Sequence, residues 1–150
     1  GRVASPGNWR VPLGTSFVDL MQAAGGLTGA LARVIAGGPM MGIAQPDLDV
    51  PVIKTTGSVI LLGPEDLHET PAGPCIRCGR CVTACPMGLL PAQLCDAAMA
   101  SDWARAERFH VRACMECGSC SYVCPARRPL VQSIRLAKSE LGRRARGGRG

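Results

Sequence analysis

Two stretches constrain this chain more than any others: CIRCGRCVTACP at 75–86 and CMECGSCSYVCP at 114–125. Each sets four cysteines in one frame, C-x2-C-G-x-C-x3-C-P, and the second copy follows the first by 39 positions. Cys75, Cys78, Cys81, Cys85, Pro86 and Gln93 recur as Cys114, Cys117, Cys120, Cys124, Pro125 and Gln132, and Gly79 recurs as Gly118. Duplication at this scale predicts two equivalent sites related by rough two-fold symmetry.

Thiols this dense have three chemical uses. Disulfides need an oxidising compartment, and the opening residues, GRVASPGNWRVPLGTS, lack the charged-then-apolar layout of a secretion signal. They also lack an initial Met, which predicts a piece of a longer protein. Zinc usually draws on two separated pairs, not on three ligands within seven residues followed by a proline-marked fourth. The spacing fits cubane iron–sulfur ligation. Three thiolates two residues apart wrap a loop around three corners of a cube, and the fourth starts a new chain direction and reaches the other cluster.

Gly79 and Gly118 permit positive φ in that tight loop. Pro86 and Pro125 fix φ and bring no N–H donor. The crossed-ligand rule assigns Cys75, Cys78, Cys81 and Cys124 to one 4Fe-4S cluster, and Cys114, Cys117, Cys120 and Cys85 to the other. Neither set closes until both halves meet. The ninth thiol, Cys95, lies in a helical pattern with Leu94 and Ala98 and reads as a buried packing residue. His68 and His110 have no ligand-like neighbours and read as surface or cap residues.

The formal charge of +6 invites a nucleic-acid reading. Two oxidised clusters at about −2 each would bring it near +2. What remains gathers in GRRARGGRG at 142–150, which reads as a disordered basic tail. That tail has no interleaved aromatics for base stacking, so no nucleic-acid partner is expected. Charge inside the loops predicts an asymmetry: Arg77 and Arg80 lie in the first, whereas the second holds Glu116 and no base. Positive charge favours the reduced state, so the first cluster is expected to have the higher potential.

The rest of the chain reads as an α+β unit over 1–67, a linker at 68–74 and a helical domain over 75–141. In the first unit NWRVPLG alternates like a strand, and TSFVDLMQAAGG reads as a helix capped by Thr15 or Ser16 and stopped by Gly25 and Gly26. LARVIAGGPMMG predicts a strand entering a Gly-rich turn, and VPVIKTTGSVILL one or two more strands. A sheet wrapped on one helix is the economical packing. The helical domain has candidates in LLPAQLCDAAMA, SDWARAERFHV and PLVQSIRLAKSELG.

GGPMMG, VPVIKTTGSVILL, PCIRCGRCVTACPMGLLPAQL and CMECGSCSYVCPARRPLVQSIRLAK together resemble the C subunit of the Rnf/Rsx electron transport complex, over about residues 1–141. The N-terminal unit resembles the soluble-ligand-binding β-grasp (SLBB) module. The resemblance implies a β-grasp followed by an all-α ferredoxin-type domain with two 4Fe-4S clusters. It implies electron transfer within a membrane-bound, ion-translocating ferredoxin:NAD⁺ oxidoreductase, with other subunits, a ferredoxin or a flavin domain as partners. It further implies a peripheral place on the cytoplasmic side of the bacterial inner membrane. FMN and NAD sites are expected on a domain preceding residue 1, because no G-x-G-x-x-G or other phosphate loop is present and GGPMMG reads as a turn leaving a strand. No catalytic nucleophile and base are assembled.

The runner-up is the cluster domain of a soluble flavin-dependent dehydrogenase or reductase. No apolar run of about 18 residues is present, nor a lipidation signal or strongly basic amphipathic helix. Any membrane attachment is therefore expected through partner subunits rather than by direct insertion.

Overall fold

A computed structural model describes residues 1–67 and 71–147 and divides the chain into two units, Gly1–Glu69 and Thr70–Gly150. His68 and the end of the basic tail lie outside the described residues.

The first unit is a small sheet on one helix. Helix α1 spans Phe17–Ala23, and the Ser16 hydroxyl caps it by accepting from the Asp19 N–H at 3.0 Å. Gly25 and Gly26 then take φ of +85° and +79°, which end the helix. Strands β1 (Arg33–Ala36), β2 (Ile43–Gln45) and β3 (Val59–Leu62) form an antiparallel sheet in the order β2-β1-β3. Val34 pairs with Leu61 and with Gln45. Phe17, Val34, Val52 and Leu61 close the core between helix and sheet.

GGPMMG is the connection between β1 and β2. The Gly37 N–H donates to the Ser58 carbonyl at 2.7 Å and that of Gly42 to the Gly38 carbonyl at 2.8 Å. A Cβ on Gly42 would strike the Ile35 side chain and the Gly38 carbonyl, so the hairpin admits only glycine there. One expectation for this unit needs correction: NWRVPLG forms no strand, since residues 8–12 make no ladder pairing. VPVIKTTGSVILL yields β3, within the one or two strands expected, with Pro51 joined to Ser16 by a single bridge.

The second unit is all helical: α2 (Arg80–Thr83), α3 (Pro91–Met99), α4 (Trp103–Arg108), α5 (Ser119–Tyr122) and α6 (Leu130–Gly147). The sequence repeat is a structural one, because α5 begins 39 residues after α2 and α6 begins 39 residues after α3. Helices α3 and α6 pack face to face through Leu94, Ala97, Ala98, Ile134, Ala137 and Leu141. Alanines among these positions let the two backbones approach closely. Asp102 caps α4 through the Arg105 N–H at 3.0 Å, and Ser121 on α5 accepts from the Val131 N–H at 2.9 Å, tying α5 to the start of α6.

The tail expected to be disordered is helical through Gly147. Glu140 pairs with Arg143 and Arg144, about one turn further on, and the Arg144 guanidinium lies 5.6 Å from the Trp103 ring centre. These pairs extend a helix that composition alone reads as a solvated tail.

Candidate metal centre

Each cysteine run makes a left-handed loop and then one short helical turn. Gly79 and Gly118 take φ of +75° and +80° just before α2 and α5. Two residues earlier, Arg77 and Glu116 sit at +55° and +59°, and further on Gly88 and Arg127 sit at +62° and +50°. The copies therefore share three left-handed positions in register, a conformation that costs a side-chain-bearing residue about 1–2 kcal/mol.

The two loops and the helix starts between them enclose two cavities. The first, about 680 Å³, is lined by Cys75, Cys78, Cys81 and Cys124. The second, about 20 Å³, is lined by Cys85, Cys114, Cys117 and Cys120. Each cavity takes three thiols from one motif and the proline-marked fourth from the other. The Gly73 N–H, bonded to the Ala126 carbonyl at 2.9 Å, joins the approach to the first motif to the exit from the second.

Donor chemistry narrows what such cavities can hold. All eight lining donors are sulfur, which selects zinc or iron–sulfur species over hard cations. Among the described residues no three His, Cys, Asp or Glu side chains converge as one ion requires. The eight thiols line the walls of the two cavities, four to each. At the first cavity, Nη1 of Arg128 is buried without a partner while Nη2 donates to Asp96 at 2.7 Å. An anionic cluster held by the thiols of this cavity would offer that nitrogen an acceptor. The residues present fit the group.

The surroundings of the two cavities differ. Cys75 and Cys78 are exposed, with Arg77, Arg105, Arg128 and Asp96 on the first cavity's wall. The second is walled by Leu89, Pro91, Val131 and Ile134. Burial pushes the Cys120 thiol up to about 11 and raises Cys114 as well. Cys117 moves the other way, because the Ser119 hydroxyl at 3.4 Å hydrogen-bonds its thiolate. The Leu89 N–H reaches Cys85 Sγ and the Glu116 N–H reaches Cys114 Sγ, both at 3.4 Å, and the second of these bonds offsets part of the effect of burial on Cys114.

One functional group of residues escaped the sequence reading. On α6, Arg135 Nε donates to Glu116 Oε2 at 3.0 Å, and Lys138 Nζ donates to Glu116 Oε1 and, at 3.0 Å, to the Cys114 carbonyl. The Lys138 hydrogen bond holds the Glu116 carboxyl below the usual range. A count restricted to the loops leaves the second one acidic, but α6 brings it two cations. That narrows the charge imbalance behind the expected order of potentials without reversing it, since three arginines and one aspartate wall the first cavity. The spacing of Arg135 and Lys138, three apart on one helix face, was the only signal available.

Cys95 lines neither cavity. It is 1% exposed, packs with Leu130 and Val131, and donates to Ser133 Oγ at 3.4 Å. His110 is exposed at φ +56°, where it opens the short 3-10 turn Val111–Ala113.

Residues 1–44 match the SLBB domain family, and residues 74–128 match the 4Fe-4S dicluster domain family. Over 141 residues the chain is 42% identical to the C subunit of the proton-translocating ferredoxin:NAD(+) oxidoreductase complex of Clostridium ljungdahlii, covering 93% of this chain and 31% of that protein. It is 42% identical over 142 residues to the C subunit of the ion-translocating oxidoreductase complex of Rhodobacter capsulatus, covering 95% and 27%. The chain is similar, over nearly its whole length, to one part of each of these C subunits. The C subunit of the Na(+)-translocating ferredoxin:NAD(+) oxidoreductase complex of Acetobacterium woodii is 38% identical over 139 residues, covering 93% and 31%. The chain thus spans about a third or less of the curated relatives it matches. The SLBB match falls on the sheet-and-helix unit, and the dicluster match takes in every cysteine of the two motifs. The cofactors of the dicluster domain are two 4Fe-4S clusters.

Proposed function

We propose that this chain is the iron–sulfur relay segment of an Rnf-type, ion-translocating ferredoxin:NAD⁺ oxidoreductase. The observation that carries the reading is the crossed pair of four-thiol cavities built by a duplicated loop and helix. Cys75, Cys78, Cys81 and Cys124 hold one cluster, and Cys114, Cys117, Cys120 and Cys85 the other. When bound, each cluster takes up and releases one electron.

The chain's own residues supply the setting for that chemistry. Leu89, Val131 and Ile134 keep water from the second site. Arg77, Arg105 and Arg128 offset anionic charge at the first, and Lys138 and Arg135 do so at the second through Glu116. Flavin and nicotinamide chemistry belongs, on this reading, to other parts of the full-length protein. The segment works peripherally, on the cytoplasmic side of the membrane, held by partner subunits. Among the described residues no helix is long and apolar enough to cross a bilayer.

Anaerobic reconstitution with iron and sulfide tests the proposal. About eight irons and eight sulfides per chain, with spin coupling between two reduced cubanes in low-temperature paramagnetic resonance, is the expected result. Bound zinc, or about four irons, would refute it.

A further inference from the structure

The repeat offers an internal control on what surrounds each site. Position 96 on α3 and position 135 on α6 are 39 residues apart, and each anchors a charge of opposite sign beside one cavity. Arg135 Nε holds Glu116 at the second cavity, and at the first Asp96 Oδ1 accepts from Arg128 Nη2 at 2.7 Å. The counterpart of Arg128 is Leu89, a buried wall of the second cavity. The slot four residues past the last cysteine of each motif therefore carries an alkyl group at one site and a guanidinium at the other.

Three arginines wall the first cavity, and their charges do not count equally. Arg77 is exposed, where water and salt screen it. Arg105 donates through Nη2 to Gln93 Oε1 at 2.6 Å and lies over the Phe109 ring, 5.6 Å from its centre. Arg128 has a side chain only 15% exposed, and its Nη1 is buried with no hydrogen-bond partner among the described residues. Asp96 foremost, against the opposing effect of burial, holds this guanidinium more firmly charged than an ordinary arginine. A planar fork fixed at one nitrogen keeps its other N–H groups in set directions. A cation and donor so placed interacts more strongly with anionic sulfur after an electron arrives than before, which raises a potential. We propose that Arg128 sets the potential of the first site, donating from Nη1 to the sulfur there and lifting that potential above the second's. The step it acts on is the gain of one electron by the first site. Arg128 itself exchanges no electron or proton, and no bond breaks. This inference rests on the relay function proposed above.

The test is a redox titration of the cluster-loaded chain, followed by low-temperature paramagnetic resonance, with iron and sulfide counted on every sample. Arg128→Leu copies the second site's residue into the first. It should lower the higher of the two potentials by about 60 mV, a tenfold change in the one-electron equilibrium, and leave the lower one in place. Arg128→Lys, which keeps the charge, should recover most of that shift. Arg77→Gln removes the same formal charge from an exposed part of the wall and should change the equilibrium by less than about threefold. Should Arg128→Leu take up less iron than the unaltered chain, Arg128→Gln replaces it, with a smaller fall of the same sign. Equal potentials in the unaltered chain, a parallel fall of both, or an equal fall with Arg77→Gln would each overturn the assignment while leaving the relay intact. A loss of unfolding stability with both potentials unmoved would do the same, marking Arg128 as a strut onto α3. A chain that takes up no cluster overturns the relay reading and this inference with it.

Discussion

The two halves of the cluster domain share one backbone and have been put to different uses. Both carry the same four-cysteine frame, the same three left-handed residues and a helix beginning at the same offset. The first half leaves its site exposed beside Arg77 and Arg80, and the second buries its site against α6. Duplication fixes where the thiols stand, and substitutions at a few positions between them decide what surrounds each site. Position 77 against 116, and position 95 against 134, are two such places.

The harshest way to break the comparison is at a shared cysteine. Cys85 leaves the first motif to line the second cavity, so Cys85→Ala should lower iron below about four per chain rather than merely halving about eight. A variant that keeps one complete, unperturbed cluster would show that the halves assemble independently. Next in size is Ile134→Ala, which opens a hole beside the second cavity and should cost about 2–4 kcal/mol in anaerobic denaturant unfolding. Its repeat counterpart, Cys95→Ala, should keep all its iron, because Cys95 lines neither cavity; a lost cluster there would make Cys95 a ligand.

Lys138→Met sharpens the comparison electrostatically. Removing a cation beside the second site disfavours reduction there, so that potential should fall, by on the order of 60 mV for a tenfold change in the one-electron equilibrium. The first potential should hold in the same redox titration, and a parallel shift of both would locate the effect elsewhere. The smallest contrast lies at positions 88 and 127. Gly88→Ala places a side chain at φ +62° and should cost about 1 kcal/mol. Arg127 already carries a side chain at φ +50°, in the strained conformation that glycine adopts freely at position 88.

Much of this architecture was legible because its cause is local. The cysteine frame dictates a loop of fixed span, Ser16 followed by Phe17 and Asp19 dictates a capped helix, and Pro91 and Leu130 open equivalent helices. What escaped depends on distant partners. NWRVPLG alternates like a strand but finds no neighbour to pair with, whereas β2 has only three residues and an exposed Ile43 to announce it. The final turns of α6 owe their order to Glu140 and to Trp103, the latter far back along the chain. Lys138 meets Glu116 across 22 residues, and no spacing rule connects a helix face with a loop that far away.

The crossed cavities also impose an order on biosynthesis. The second cavity has its four thiols once Cys120 has been added, and the first has its four at Cys124, four residues later. Until Cys120 is added the emerging chain carries up to seven reduced thiols with no complete four-thiol set to receive metal. Both sites become competent almost together, at the very end of the motif region, so the machinery that delivers iron and sulfide meets an all-or-nothing recipient.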